Sequence, residues 1–108
     1  MKTDFKGVFP ALVTPLTGRE KLNVRALEKL IDYEIKDGAN GFYIGGATGE
    51  GLLLDIPERK KLCEKSIEFI GEDKTKIVHI TDMNFRNTIE LAKHAEACGA
   101  EAISARAV

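Results

Sequence analysis

The feature that most constrains the fold is the alternation of short apolar segments with longer segments of helical periodicity. Candidate strands cover residues 8–13, 41–45, 76–81 and 101–107, and a candidate helix lies between each pair. Strands that alternate with helices form parallel sheets through right-handed crossovers. The order βαβαβαβ therefore predicts an α/β fold, either an open doubly wound sheet or half of an eight-stranded (β/α)8 TIM barrel.

The candidate helices carry their own start and stop signals. Asp55 and Glu58 match a capping box at the start of the second helix, with Pro57 in its first turn. The other predicted N-caps are Asn23 and either Asn84 or Asn87, and the glycines expected after the helices are Gly38, Gly71 and Gly99. The side chains expected to face inward are Leu27, Leu30, Ile31, Ile35, Leu62, Cys63, Ser66, Ile67, Ile70, Ile89, Leu91, Ala92, Ala95 and Cys98.

Length and charge limit the class of protein. The 108 residues suit one domain, 1–108, and the net charge of −1 offers no basic field for nucleic acid or an anionic membrane. The start of the chain lacks a signal-peptide pattern, and the apolar run 8–16 is too short to span a bilayer. Cys63 and Cys98 form no C-x-x-C motif or metal-ligand spacing. We expect buried free thiols and a cytoplasmic protein.

A glycine-rich turn, residues 45–51, follows the second candidate strand and precedes a helix. Its sequence, Gly-Gly-Ala-Thr-Gly-Glu-Gly, allows close backbone approach and a nest of N–H groups for an anion. It lacks the ending of a Walker A loop and the spacing of a dinucleotide turn. The residues alone leave two alternatives: a site for a small carboxylate, or a turn without a ligand.

The glycine-rich turn and its flanks carry a family resemblance. The chain resembles the N-terminal part of the N-acetylneuraminate lyase and dihydrodipicolinate synthase family, which are pyruvate-handling class I aldolases on β/α barrels. The tyrosine before the glycines and the strand with His79 resemble the neuraminate lyase branch more. The matching stretches are 7–11 with Thr14-Pro15, 41–51, Glu58-Arg59, 77–80, 90–92, Ala95, Gly99-Ala100 and Ala105.

The resemblance implies a carboxylate site but an incomplete active site. The N–H groups of Ala47 and Thr48 and the Thr48 hydroxyl would bind the carboxylate of a pyruvate-like substrate. Ala47 stands where the family usually has Ser or Thr, so a relay hydroxyl is missing. The family's Schiff-base lysine and catalytic tyrosine lie on later strands. We therefore expect no catalytic residue, cofactor or metal here, and no aldol cleavage by this chain alone.

Several single residues carry weaker expectations. His79 is expected to be a hydrogen-bonded core histidine and Tyr43 to pack rather than line a site. Glu50 is expected to order the glycine-rich turn. His94 is expected to pair with Glu90 on a helix surface. At the carboxyl ends of the last two strands, either Asp82 pairs with Arg106 or both are solvated.

A half barrel would expose one face of its sheet and two strand edges. Such surfaces favour association. A second copy could close four strands against four, so we expect self-association as a two-fold dimer. Three functions stay open: the N-terminal piece of a pyruvate-dependent lyase, a truncated or engineered scaffold without catalysis, and a small anion-binding α/β module.

Overall fold

Three helices alternate with three strands in a computed structural model that describes residues 7–18, 21–46 and 54–105. The strands form one parallel sheet in the order β1-β2-β3, which confirms the predicted α/β class. The elements are α1 (Val24–Lys36), β1 (Gly41–Ile44), α2 (Ile56–Ile70), β2 (Thr75–His79), α3 (Phe85–Cys98) and β3 (Ala102–Ser104).

The first predicted strand, 8–13, is reduced to one parallel bridge between Ala11 and Tyr43. Around it, the Tyr43 N–H donates to the Pro10 carbonyl (3.1 Å) and the Leu12 N–H donates to the Tyr43 carbonyl (2.9 Å). A further rung toward the start of β1 would need an N–H from Pro10, which proline lacks. The segment therefore lies along the outer edge of β1 without forming a full strand.

The helix caps follow the local sequence signals. The side chains of Asn23, Asp55 and Asn84 accept hydrogen bonds from the first-turn N–H groups of α1, α2 and α3. Only one of the two hydrogen bonds of the predicted capping box is present: Asp55 accepts from the Glu58 N–H. The return bond from the Glu58 side chain is wrong, because Glu58 Oε2 accepts from the N–H of Leu22 (2.9 Å). Glu58 thus links α2 to the loop before α1. Gly38, Gly71 and Gly99 follow the helix ends as predicted.

The hydrophobic core lies between the helices and one face of the sheet. Phe42, Ile44 and Val78 point to this face and are buried against side chains of all three helices. The prediction that the Ile89 side chain faces inward is wrong, since it is 41% exposed. The core side chains from the helices are Leu27, Ile31, Leu62, Cys63, Ile70, Leu91 and Ala95.

The opposite face of the sheet carries Tyr43 and Ile77, which are only half-buried. Ala11 and Val13 lie on the same face as Tyr43, since side chains alternate along an extended segment; both are exposed. This uncovered face is the one that a barrel would turn inward. None of the helices in the described ranges has the length and hydropathy needed to cross a membrane.

Candidate functional site

Three polar side chains meet at the carboxyl ends of the strands. The hydroxyl oxygen of Tyr43 lies 3.2 Å from Nδ1 of His79 and 2.6 Å from the hydroxyl oxygen of Ser104. The Tyr43 and His79 ring centroids are 6.1 Å apart. We call Tyr43, His79 and Ser104 the rim cluster. Ligand sites in parallel α/β folds lie at this end of the sheet.

The sheet register explains why these side chains meet. Tyr43 pairs with Ile77 in β2, and His79 pairs with Ser104 in β3. Because successive side chains alternate between faces, Tyr43, His79 and Ser104 all point to the uncovered face. The tyrosine is long enough to reach across β2 to Ser104. His79 is hydrogen-bonded and buried as predicted, at 6% exposure, but it lies on the face of the sheet opposite the hydrophobic core.

The rim cluster can hold its protons in two arrangements. Tyr43 has one donor hydrogen, so it cannot donate to both of its neighbours. It either donates to His79 and accepts from Ser104, or donates to Ser104 and accepts from His79. Exchange between these arrangements requires both hydroxyl groups to rotate and Nδ1 of His79 to gain or lose its hydrogen. Tyr43 thus makes these hydrogen bonds in addition to packing, the role that the sequence analysis favours over lining a site.

The glycine-rich turn leaves β1 next to the rim cluster. Gly45 has a φ of +75°, a conformation that favours glycine. A Cβ on Gly46 would lie 2.6 Å from Cε1 of Tyr43, so only glycine fits against the ring without a shift. The predicted ligands Ala47 and Thr48, together with Glu50, lie outside the described residues. What the structure describes is the start of the turn, at the rim.

A buried cation that the sequence analysis missed supports the end of β2. Arg59 is 4% exposed, and its guanidinium donates to the carbonyls of Thr81 (Nη1, 2.6 Å) and His79 (Nη2, 3.1 Å). Burial lowers the pKa of Arg59, and the charge of Asp82 acts in the opposite direction. Arg59 precedes Leu62, Cys63 and Ser66 on one helix face, so helical periodicity could have revealed its burial.

The cation that the structure places beside Asp82 is Arg59, with Nη1 3.7 Å from Asp82 Oδ1. Arg106, the predicted partner, lies outside the described residues. Asp82 Oδ2 also accepts from the Asn84 N–H and from Nδ2 of Asn87, both at 3.0 Å. The pKa of Asp82 is lowered, mainly by the Asn84 hydrogen bond, with help from Asn87 and Arg59 and some opposition from desolvation. Asp82 is therefore not simply solvated.

The predicted pair between Glu90 and His94 is wrong. Glu90 pairs instead with Lys60, whose Nζ lies 2.7 Å from Glu90 Oε2. His94 turns toward α2, where Nε2 is 3.2 Å from the Lys60 carbonyl oxygen. Both contacts join α3 to α2, and sequence spacing within one helix cannot predict them.

Lys76 is the only buried lysine in the ranges that the structure describes, at 3% exposure. Its Nζ donates to the carbonyls of Gly71 and Lys74, both at 2.8 Å, and lies 3.3 Å from Glu101 Oε1. Gly71 and Lys74 precede β2, so this ammonium group lies at the amino end of the sheet. The structure confirms the predicted position of Lys76, at the end opposite the rim cluster.

Comparisons with known proteins agree with the fold. A model of the Dihydrodipicolinate synthetase family matches residues 4–106. N-acetylneuraminate lyase from Citrobacter koseri is 34% identical over 105 residues, which cover 97% of this chain and 35% of that enzyme. The chain thus spans about a third of the length of the curated relatives it matches.

Solved structures show the same similarity. A prophage protein of the dihydrodipicolinic acid synthase family from E. coli K12, in complex with pyruvate, matches with a TM-score of 0.89 at 32% identity over 94% of this chain and 34% of that one. CdNal from Clostridium difficile, in complex with mannosamine, matches with a TM-score of 0.91 at 32% identity. This match covers 95% of the present chain and 36% of CdNal. The fold is therefore part of the β/α barrel of these enzymes, and this chain belongs to the dihydrodipicolinate synthetase family.

Proposed function

We propose that this chain is the N-terminal part of a pyruvate-dependent Schiff-base lyase resembling N-acetylneuraminate lyase. Family membership and the similarity to N-acetylneuraminate lyases support the reaction class. The observation that carries the proposal is the rim cluster, which puts Tyr43, His79 and Ser104 at the carboxyl ends of the strands beside the glycine-rich turn. A related protein of this fold was solved with pyruvate.

The glycine-rich turn binds the substrate carboxylate in this proposal. The N–H groups of Ala47 and Thr48 and the Thr48 hydroxyl are the donors, because a nest of backbone N–H groups complements an anion. The left-handed Gly45 and the contact of Gly46 with the Tyr43 ring support a tight backbone path into the turn. The rim cluster then lies beside the bound carboxylate and can hydrogen-bond to the substrate.

The chain alone does not catalyse aldol cleavage in this proposal. A Schiff-base lysine needs a desolvated amine at the rim. Lys76 is buried, but its ammonium group lies at the amino end of the sheet beside Glu101. Lys36, Lys60 and Lys65 form ion pairs on helix surfaces. The lysine comes from later strands of the full barrel. The free thiols Cys63 and Cys98 support a reducing, cytoplasmic compartment.

A chimeric enzyme tests this division of roles. Residues 1–108 are joined to the part of the Citrobacter koseri lyase that follows its matched region, and folding is checked by circular dichroism. With pyruvate and borohydride, the chimera is expected to form a reduced covalent adduct, whereas the 108-residue chain forms none. Thr48→Val should lower kcat/KM for N-acetylneuraminate about fivefold, since one hydrogen bond to the substrate is lost.

A second test of the chimera uses Ala47, which stands where the family usually has Ser or Thr. If the missing hydroxyl belongs to a proton relay, Ala47→Ser should raise kcat by roughly 100-fold, within the range of general acid–base catalysis. The matched control is Ala97→Ser, at an exposed position of α3, which should change nothing. A folded chimera that forms no adduct, or forms it equally well with Thr48→Val, contradicts the proposed carboxylate site.

Self-association of the isolated chain is the second candidate, and the uncovered sheet face favours it. Val13 is 52% exposed on that face, and the edge of β3 has no neighbouring strand among the described residues. A second copy would cover the face and pair the edges. Light scattering across a range of concentrations should give a persistent dimer, and Val13→Lys should weaken it. A monomer at every concentration contradicts the dimer.

A further inference from the structure

Two cysteines and a histidine meet on the helical side of the fold, away from the rim cluster. Cys63 lies on α2, and His94 and Cys98 lie one turn apart on α3. Their ligand atoms all lie within 4.8 Å of one another. The structure therefore brings together three groups whose sequence spacing gave no metal motif. Two thiols and an imidazole are the ligand types that zinc prefers.

The spacing of these atoms suits a tetrahedral cation. With Zn–S of about 2.3 Å and Zn–N of about 2.0 Å, tetrahedral geometry puts the sulfur and nitrogen about 3.5 Å apart. The observed distance between Cys98 Sγ and His94 Nε2 is 3.5 Å. Two sulfur ligands would be about 3.8 Å apart. Since no pair exceeds 4.8 Å, a contraction of about 1.3 Å at most completes the geometry.

A fourth ligand on α2 requires the exposed Glu64 side chain to turn further toward the cluster, since its carboxylate is not within 4.8 Å of all three ligand atoms. Glu64 Oε1 lies 3.5 Å from His94 Nε2. An oxygen ligand and a nitrogen ligand on the same tetrahedral zinc ion would be about 3.4 Å apart. Nε2 also lies 3.2 Å from the Lys60 carbonyl oxygen, a contact that metal binding would replace. That carbonyl lies one helical turn before the Glu64 N–H, so the α-helix itself supplies a donor for it.

The site has a route to solvent. Cys98 lines an open cleft of about 660 Å³ at the amino end of the strands. The same cleft is lined by the carboxylates of Glu68, Glu72 and Asp73, which attract cations. His94 keeps 19% of its side chain exposed and Glu64 keeps 55%. Cys98, His94 and Glu64 can therefore be approached from solvent, whereas Cys63 is buried.

We propose that Cys63, His94 and Cys98, with Glu64 as fourth ligand, form a site for a thiophilic dication such as Zn²⁺. The site is independent of the proposed lyase activity, since it lies between the outer helices. Four protein ligands leave no open position for a substrate, so the bound ion would be structural. Its effect would be to join α2 to α3 and stabilise their packing against the sheet.

Metal binding would reverse the protonation of the thiols. Without a cation, burial and the neighbouring Cys98 raise the pKa of the Cys63 thiol to about 12, so this thiol is protonated at neutral pH. A coordinated thiol is deprotonated. Each chain would therefore bind one dication and release two thiol protons to solvent, with no redox change.

Cobalt spectroscopy tests the site directly. The reduced, metal-free 108-residue chain is titrated with Co²⁺, and then with Zn²⁺ in competition. We expect one Co²⁺ per chain, a sulfur-to-cobalt charge-transfer band, displacement by Zn²⁺, and a higher Tm with Zn²⁺. Cys98→Ser and His94→Gln should each weaken Co²⁺ binding more than tenfold. Replacing a residue that only hydrogen-bonds to a metal ligand already lowers metal affinity at least tenfold, and these two residues are ligands themselves. Glu64→Gln should weaken binding by a smaller factor.

The control variant is Glu96→Gln, an exposed position on α3 outside the cluster, which should bind Co²⁺ as the parent chain does. Circular dichroism of each metal-free variant separates lost binding from lost folding. Cys98 and His94 are the primary test positions because neither is fully buried. A parent chain without the charge-transfer band, or equal affinity in a folded Cys98→Ser variant, would overturn the proposal.

Discussion

The hydroxyl oxygens of Tyr43 and Ser104 lie 2.6 Å apart although their strands are not neighbours. β2 runs between β1 and β3, so the tyrosine spans the full sheet at its carboxyl end. His79 on β2 joins the same contact at 3.2 Å from Tyr43. One phenol therefore ties together all three strands at the edge where the glycine-rich turn begins.

Removing that phenol should destabilise the fold. Tyr43→Phe loses both hydrogen bonds while keeping the ring, and we expect a loss of about 1–2 kcal/mol in the free energy of unfolding. Urea unfolding followed by circular dichroism measures it. Tyr33→Phe is the matched control, because Tyr33 is 64% exposed and should change the value little. Equal effects of the two variants would show that the rim cluster contributes nothing to stability.

Arg59 should be among the most sensitive polar positions. Arg59→Ala leaves the carbonyls of Thr81 and His79 without this donor and leaves Asp82 without its nearby cation. We expect a loss of about 3 kcal/mol, because two buried carbonyls lose hydrogen bonds from a charged donor. The control is Arg25→Ala on the exposed side of α1. Thermal unfolding that places both variants at the same Tm would contradict this role for Arg59.

Asp82 should contribute stability that depends on pH. Its pKa is lowered in the folded chain, so the carboxylate stabilises the fold above its unfolded pKa of about 3.9. That contribution is lost as the pH falls through the folded pKa. Asp82→Asn should therefore reduce stability at pH 7, and this reduction should shrink as the pH falls below about 3.9. Urea unfolding across this range measures the difference, with exposed Asp73→Asn as control; a pH-independent loss would contradict the prediction.

Gly46 should not tolerate a side chain. In Gly46→Ala the new Cβ would meet the Tyr43 ring at 2.6 Å, so the ring must move away from the rim cluster. We expect a loss of about 1–3 kcal/mol in unfolding free energy. Gly18→Ala is the matched control, because no heavy atom lies within 4 Å of its added Cβ. Similar unfolding midpoints for the two variants would contradict the packing of Gly46 on Tyr43.

The sequence predicts those features of the fold that depend on local chemistry. Asn23 and Asp55 cap helices because their side chains reach N–H groups only three residues ahead. β1 ends at Ile44 because the next residue, Gly45, takes a positive φ that a strand does not use. The parallel sheet follows from the alternation of strands and helices.

Features formed by distant residues could not be predicted in the same way. Glu58 has the spacing of a capping box, yet it accepts from Leu22 because the fold brings the loop before α1 close to it. His94 has the spacing of a pair with Glu90, yet α2 offers it closer partners. The rim cluster depends on the register of three strands, which no single segment specifies.

Binding of pyruvate to the isolated chain tests the proposed carboxylate site most directly. The ¹⁵N-labelled chain is titrated with pyruvate, and with methyl pyruvate, which lacks the carboxylate. We predict saturable shifts at the amides of Ala47 and Thr48 with pyruvate only, weakened about fivefold by Thr48→Val. Inorganic phosphate binding equally well at these amides would favour a general anion-binding module. No shifts at Ala47 and Thr48, or the same shifts with methyl pyruvate, would contradict a carboxylate site in the glycine-rich turn.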